Sequence, residues 1–373
     1  MKVLLIDQIA KVNYKYTFPL ANGLVKSGCE VLLVIDQKKE KENCICERIN
    51  YFNTDEKGIS KLDKLKNYIC SYRKIENLIK NNNFDVLHTE WFSFSPIDYY
   101  YIKKFKRQYG VRYVSTVHDI LPFNSKFYDM PFHEKLYELA DSVILQAPGN
   151  VQRFAELFPQ YKEKTVMIPH GHMLDYVETV DKEVSRKKLD IPLNKIVILF
   201  FGQIKKVKGV DLLLKALVKL KDKCPDIFVV IAGSIWQSDF TECQRIIEEN
   251  DFSNCLRTDI KYIPDEEVKY YYSAADACVL PYTDVYQSGV IQLAYGYQKA
   301  VIASNLPAFT QFVKENETGF IAKSGDVESL VQAMERAVIK KDSLNQIGKS
   351  GYELVKDKLN WDDLARRIFN ECY

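Results

Sequence analysis

The sequence predicts an α/β chain built from two domains, each a doubly wound parallel sheet. Three observations predict it. Apolar strand, helix and apolar strand follow one another within the first 36 residues, which reads as a right-handed βαβ unit and therefore a parallel sheet. The same alternation starts afresh at residue 195, after a charge-rich stretch of weak periodicity. Polar side chains recur directly after the strands, where a doubly wound sheet places its ligand. At 373 residues and 47% hydrophobic content, the chain is too long for one typical domain and apolar enough for two cores.

Residues 2–6 form the first strand, a helix over about 16–27 ends at Gly28, and EVLLVI at 30–35 is the second strand. The intervening loop, residues 7–12 (DQIAKV), contains no glycine. This removes the dinucleotide fingerprint and with it the case for a nicotinamide or flavin enzyme. KKEKE at 38–42 reads as a solvated loop. A helix over about 60–82 carries Leu62, Leu65, Ile69, Tyr72, Ile75 and Ile79 on one face. FDVLH at 84–88 is a strand, with Thr89, Glu90, Trp91 and Phe92 at its carboxyl end. The helix after Pro96 mixes Tyr99, Tyr100 and Tyr101 with Lys103, Lys104, Lys106 and Arg107. That mixture suits either a membrane-surface patch or an amphipathic face whose lysines reach for water. Strands at 112–117, 142–145 and 165–168 follow; the first delivers His118 and Asp119, the last Pro169, His170, Gly171 and His172.

Residues 173–194 are expected to be the linker. Beyond it, KIVILFF at 195–201 is a buried strand ending in Gly202, and Gln203-Ile204-Lys205-Lys206-Val207-Lys208-Gly209 leads into an amphipathic helix. Strands are expected at 227–232, ending at Gly233-Ser234, and at 261–263, before Pro264. VLPYTDVYQSGVIQLAYGYQKAVIAS at 279–304 then reads as strand, loop, helix, strand, with Ser288 as the helix N-cap and Gly289 just inside. Helices at 326–338, 343–356 and 361–369 close the chain.

A net charge of +2 supplies no global field that demands nucleic acid. The nine cysteines include one close pair, Cys44 and Cys46, and no paired CxxC motifs; this points away from zinc and toward a reducing compartment. The apolar run at the N-terminus, about four residues, is too short for a signal peptide core. No stretch reaches the roughly 18 apolar residues of a membrane span. A cytoplasmic protein, in contact at most with the inner membrane face, is the expectation.

Chemically, three features of the second domain suit a diphosphate. Lys205 and Lys208 share a strand–helix loop with Gly202 and Gly209; the helix start at Ser288-Gly289-Val290 offers N–H groups and a positive dipole end; and residues 264–267 can hold a base through their backbone. A solvated charge run is the bland alternative for the lysines. There is no Walker A motif, no HExxH and no acidic pair with metal spacing, so neither NTP hydrolysis nor a resident metal is expected.

FFGQIKKVKGVDLLLKAL, IPDEEVKYYYSAADACVLPY, QSGVIQLAYGYQKAVIAS and IPHG at 168–171, in that spacing, resemble the GT4 family of GT-B glycosyltransferases. The resemblance covers nearly the whole chain and is strongest over 195–325. It implies two Rossmann-like domains facing a central cleft, residues 1–172 for the acceptor and 195–357 for the donor, with a last helix at about 358–373 crossing back to the first. It implies retaining, metal-independent transfer of a sugar from a nucleotide-diphosphate sugar, a co-substrate, to a saccharide or lipid-linked saccharide. It assigns His118, Lys205 and Lys208 to catalysis. To the donor it assigns Gly202, Gln203, Gly209, Gly233, Ile263, Pro264, Gln287, Ser288, Gly289 and Val290; Asp284 and Gln292 join them as neighbours of two lost family positions and not as matches. The acceptor-side candidates are Gln8, Lys11, Trp91 and His170. The sequence also departs from the family. Gln8-Ile9-Ala10-Lys11 replaces a glycine pair, Gln203 stands where an arginine is usual, and Val285 and Leu293 occupy the positions of two glutamates. Those losses motivate an alternative, a non-catalytic GT-B subunit that binds a nucleotide sugar or a partner enzyme.

Overall fold

A computed structural model describes residues 1–36, 44–52, 60–121, 127–236, 238–285 and 288–373. The chain divides into two compact units, Met1–Gly171 with Leu359–Tyr373, and His172–Lys358.

The first unit begins with β1 (Lys2–Asp7), α1 (Ala10–Lys26), β2 (Glu30–Ile35) and β3 (Glu47–Asn50), followed by α2 (Lys61–Asn81), β4 (Val86–Thr89), α3 (Ser95–Tyr109) and β5 (Arg112–Val117). It continues through α4 (Asp129–Leu139), β6 (Ser142–Leu145), α5 (Pro148–Leu157) and β7 (Thr165–Met167). Among the described residues the sheet is wholly parallel, in the order β3-β2-β1-β4-β5-β6-β7. The order reverses between β1 and β4, so the carboxyl ends of these two strands flank the switch point where such sheets bind ligands. The core beside the sheet is aromatic: Tyr72, Phe105, Tyr113, Tyr137 and Phe154 are fully buried there with Leu4, Ile6 and Leu136.

Helix α1 starts at residue 10, not at 16. The Asp7 carboxylate accepts the Ile9 N–H and the side chains of Asn13 and Thr17, which ties the first turns of the helix to the end of β1 and leaves almost no loop. The lysines of α3 are partly engaged within the unit: Lys103 bonds Tyr99, Lys104 pairs with Glu76, and Lys106 pairs with Asp141, while Tyr101 stacks on Tyr72. These contacts favour the amphipathic-face reading of that helix. The expected loop at 38–42 lies outside the described residues.

The second unit contains α6 (Lys182–Lys188), β8 (Ile196–Phe201), α7 (Val210–Leu220), β9 (Ile227–Ala232), α8 (Thr241–Glu249), β10 (Leu256–Asp259) and α9 (Asp265–Ala274). It then runs through β11 (Ala277–Leu280), α10 (Gly289–Gly296), β12 (Ala300–Ser304), α11 (Pro307–Thr310), β13 (Gly319–Ala322), α12 (Val327–Ile339) and α13 (Leu344–Lys358). Its described sheet is parallel in the order β10-β9-β8-β11-β12-β13, so the switch point falls between β8 and β11. The strand expected at 261–263 lies instead at 256–259, and 261–263 is loop.

The expected linker at 173–194 is packed into the second unit. Arg186 on α6 is buried; it donates to the carbonyls of Ala274, Leu193 and Lys195 and pairs with Asp276 at 2.7 Å. A charge with that many partners is fixed structure, since a buried guanidinium is tolerated only when its donors are satisfied. Helix α14 (Trp361–Cys372) belongs to the first unit. Asn360 caps it, accepting from the N–H groups of Asp362 and Asp363. Trp361 packs on Tyr16 of α1 and directly over Gly171, where an added Cβ would lie 2.2 Å from the indole.

Candidate active site

In the second unit, the loop after β8 is held from two sides. The Ile204 N–H donates to the Ser234 carbonyl and the Trp236 N–H to the Ile204 carbonyl, while the Thr283 N–H donates to the Val207 carbonyl. Lys206–Lys208 form a 3-10 turn, with Lys205 before it and Gly209 after it as the left-handed N-cap of α7. At three residues per turn, Lys205 and Lys208 share one face. Both are half-buried and Lys206 is exposed. The Lys208 Nζ sits 3.8 Å from the ring centroid of buried Tyr282. Burial, with the neighbouring Lys205 charge second, lowers the Lys208 pKa to about 8. A cation kept short of water in this way gains most from an anionic ligand.

The helix start at α10 lies at the same carboxyl edge. Ser288 occupies the N-cap position in an extended conformation, but its side chain makes no capping bond, contrary to the expected cap. The first-turn N–H groups of α10 are thus left without a side-chain cap. An added Cβ on Gly202 would stand 3.5 Å from the Val290 side chain, so the strand end and the helix start adjoin.

Two of the expected glycines are demanded by packing. A Cβ on Gly209 would meet the Pro281 carbonyl oxygen at 2.0 Å, and one on Gly233 would meet the Gly202 carbonyl oxygen at 1.9 Å. Both glycines allow backbone to pack on backbone, and the room they make is already filled. Gln203 and Asp284 are exposed, Gln292 is buried in α10, and Gly289 is exposed at its start. Ile263 is buried and Pro264 sits at the N-cap of α9, along the same sheet edge. Gln287 lies outside the described residues. Val285 and Leu293 are half-buried. Among the described residues no cluster of three metal-ligating side chains occurs.

The first unit's switch point carries another chemistry. His118 follows β5, stacks on Trp91 at 4.7 Å and meets Tyr16 edge-on at 4.8 Å. His170 packs edge-on against Tyr16 at 4.9 Å. Burial lowers both imidazoles to about 4, so they are neutral at physiological pH. Trp91 and His118 also line a cavity of about 160 Å³ with Phe92, Asp119, His133 and Tyr137.

The two other residues expected on the acceptor side, both next to the end of β1, differ in what they can offer a ligand. Gln8 is buried: its amide donates to Tyr72 and Asp98, and its carbonyl accepts from the Ser93 N–H and the Tyr68 hydroxyl. Every hydrogen-bonding position of that side chain is used, so it is a lock between β1, α2 and α3. Lys11 is exposed on α1, its backbone N–H held by Asp36. The residue missed is Glu90, fully buried after β4 with Oε2 2.8 Å from His118 Nε2. Its place at a strand end was visible in the sequence; its burial was not.

Comparison with known proteins covers both units. The family described as Glycosyltransferase Family 4 matches residues 15–176, and Glycosyl transferases group 1 matches residues 181–354. The chain is 21% identical over 304 residues to a D-inositol 3-phosphate glycosyltransferase of Corynebacterium urealyticum, covering 77% of this chain and 70% of the relative. It is 27% identical over 214 residues to the lipopolysaccharide 1,2-N-acetylglucosaminetransferase of Salmonella typhimurium, covering 54% of each. Among solved structures, sucrose-phosphate synthase from Thermosynechococcus elongatus superposes with a TM-score of 0.71 at 18% identity, over 99% of this chain and 98% of that one. Anabaena HepE in complex with UDP does so with a TM-score of 0.71 at 16% identity, over 99% of each. These likenesses share the two-sheet architecture.

Proposed function

The chain is a GT4-like glycosyltransferase of the GT-B fold, and on that premise we propose that it transfers a sugar, with retention and without a metal, from a nucleoside-diphosphate sugar to a saccharide or lipid-linked saccharide. One observation carries this reading. Lys205 and Lys208 share a face beside the uncapped start of α10, at the switch point of the second sheet. As the donor's glycosidic bond breaks, negative charge grows on the leaving phosphate. Two lysines and a helix N-terminus stabilise that charge where it develops. The HepE complexes that hold UDP and UDP-glucose support a nucleoside-diphosphate donor here.

His118 would touch the transferred sugar. As a neutral imidazole it donates or accepts one hydrogen bond without adding charge. Of the described carboxyl groups beside His118, Glu90 is spent on the contact with Nε2 and Asp119 is exposed to solvent; we read neither as a nucleophile. A same-face displacement, in which the departing phosphate takes the acceptor's proton, therefore fits retention better than a double displacement. The Salmonella relative, named for lipopolysaccharide, supports a surface-polysaccharide acceptor; work at the cytoplasmic membrane face is part of the same proposal. No helix among the described residues is long and apolar enough to cross a membrane.

The test is release of UDP from UDP-glucose and related donors, with and without saccharide acceptors, in EDTA. Transfer that survives chelation supports the reading; activity lost to EDTA and restored by manganese overturns its metal-free part. A second reading, a nucleotide-sugar-binding subunit without turnover, is favoured by Val285 and Leu293 standing where the family has glutamates. It predicts donor binding with neither transfer nor hydrolysis.

A further inference from the structure

Glu90 stands at one end of a buried hydrogen-bonded row. The Tyr373 hydroxyl lies 2.6 Å from His88 Nδ1, and His88 Nε2 lies 2.8 Å from Thr116 Oγ1. The Thr116 hydroxyl donates to Glu90 Oε1 at 3.4 Å, and Glu90 Oε2 lies 2.8 Å from His118 Nε2. Thr116 also hydrogen-bonds Tyr16; with its one proton given to Glu90, the direction of the row follows. A threonine that donates to Glu90 must accept from His88 Nε2–H. His88 Nδ1 then accepts, and Tyr373, whose pKa burial holds well above the ordinary value, keeps its proton and supplies it. Every donor points toward Glu90.

What remains is the proton between Glu90 and His118. The titratable groups around Glu90 are His88 on its own strand, Asp7 on β1, Tyr16 on α1, His118 after β5 and Tyr373 after α14. None supplies a cation: burial keeps both histidines neutral, at about 3 for His88 and about 4 for His118. Asp7 would repel a second carboxylate. A buried carboxylate without a cation is costly, whereas a neutral acid that donates one hydrogen bond is not.

We propose that Glu90 is the positioning residue of His118: a protonated carboxyl that donates from Oε2 to Nε2 and so fixes the imidazole in the tautomer carrying its proton on Nδ1. The proposal rests on reading His118 as a group that touches the transferred sugar. Trp91 stacked on the ring and Tyr16 against its edge hold the plane; Glu90 sets which nitrogen donates. Gln146 also hydrogen-bonds the ring, and Asp119 lies near enough to act on it electrostatically. Burial raises Glu90 to about 8. Above that pH the carboxylate forms, Nε2 takes the proton, and Nδ1 turns from donor to acceptor.

Nitrogen-15 histidine spectra of the free protein read the tautomer directly, with His118→Asn identifying the signal. The expected result is the Nδ1–H form at pH 6.5, exchanging for the Nε2–H form with a midpoint near 8. In Glu90→Gln, whose amide donates at any pH, Nδ1–H should persist to pH 9.5. An Nε2–H tautomer at pH 6.5 in the unaltered protein, or the same exchange in Glu90→Gln, overturns the proposal. With UDP-glucose as the probe, and Lys208→Arg as the background so that the lysine does not titrate in the same range, kcat should fall above pH 8, and Glu90→Gln should remove that fall while keeping kcat at pH 7 within about threefold of the background. Glu90→Ala should lose more than about tenfold in kcat with KM little changed. A loss in Glu90→Gln equal to that in Glu90→Ala also overturns it. If UDP-glucose is not turned over by the unaltered protein, the spectra still decide the question, and that failure belongs to the transfer reading alone.

Discussion

The two switch points have the same topology and opposite electrostatics. After β4 and β5, a buried acid and a buried imidazole are held neutral: Glu90 is raised to about 8 and His118 lowered to about 4, in both cases chiefly by burial. After β8 and β11, half-buried lysines and an uncapped helix start concentrate positive charge. The first arrangement suits a hydroxyl-rich neutral ligand, which needs oriented donors and acceptors and no field. The second suits an anion. The difference shows that a doubly wound sheet supplies only the position of a site, and that burial against exposure at the strand ends decides its charge.

The sharpest way to break the contrast is to reverse the charge of the second site. Lys208→Glu should abolish donor binding, read by calorimetry with UDP-glucose. Lys208→Ala should cost about 2–4 kcal/mol in transition-state stabilisation, read as kcat/KM, whereas Lys206→Ala should be close to neutral. Equal losses at 205, 206 and 208 would mean a diffuse basic surface.

His118→Ala probes the other side. It should lower kcat by about 100-fold while donor binding changes little. A variant that simply fails to fold, seen as lost near-ultraviolet dichroism, would make the imidazole a packing element.

Titration separates the sites without mutation. Lys208 loses its charge as pH rises through about 8, so UDP affinity should fall above that pH, by up to about tenfold per unit, and binding near pH 8 should take up a proton. Lys208→Arg should flatten the profile. An unaltered affinity from pH 7 to 9.5 would detach Lys208 from the phosphate.

The smallest effect is on stability. His88, His118 and His170 are neutral when folded and titrate at the ordinary value when unfolded. Alone they would make stability fall as pH drops from about 6.5 toward 4. Asp7 and Asp98, raised to about 6, and Glu90, raised to about 8, hold protons in the folded state over the same range and oppose that fall, so the net change should be small. Denaturant melts of Glu90→Gln, which removes one of the opposing acids, should show stability falling as pH drops from about 6.5 to about 5, where the unaltered protein stays nearly level; a level profile in the variant would argue against the assignment.

The interior of both sheets was legible in the sequence, and of the four edge strands only β7 was. Central strands such as β1, β8 and β9 are buried on both faces and read as apolar runs. The strand expected at 261–263 was really β10, LRTD, while β3, ERIN, and β13, GFIA, were not anticipated; all three are edge strands. An edge strand buried against one neighbour needs no long apolar run, so its sequence resembles a loop. The same limit hid Arg186 and Glu90. A charged residue buried by partners distant in sequence looks like any solvated charge until those partners are known. The lysine pair was legible because a loop between strand and helix places it regardless of packing; its shared face comes from a 3-10 turn that the sequence did not announce.

The return of α14 to the first unit has a consequence for synthesis. Trp361 covers Tyr16 and Gly171, and Tyr373 bonds His88. The ribosome makes the whole of the second unit between Gly171 and these partners. The first unit therefore leaves the exit tunnel with an aromatic slot open beside α1, and it must keep that slot from sticking to other chains until the last helix arrives. Domain-by-domain folding in order of emergence is closed to it: the unit that emerges first is the one completed last.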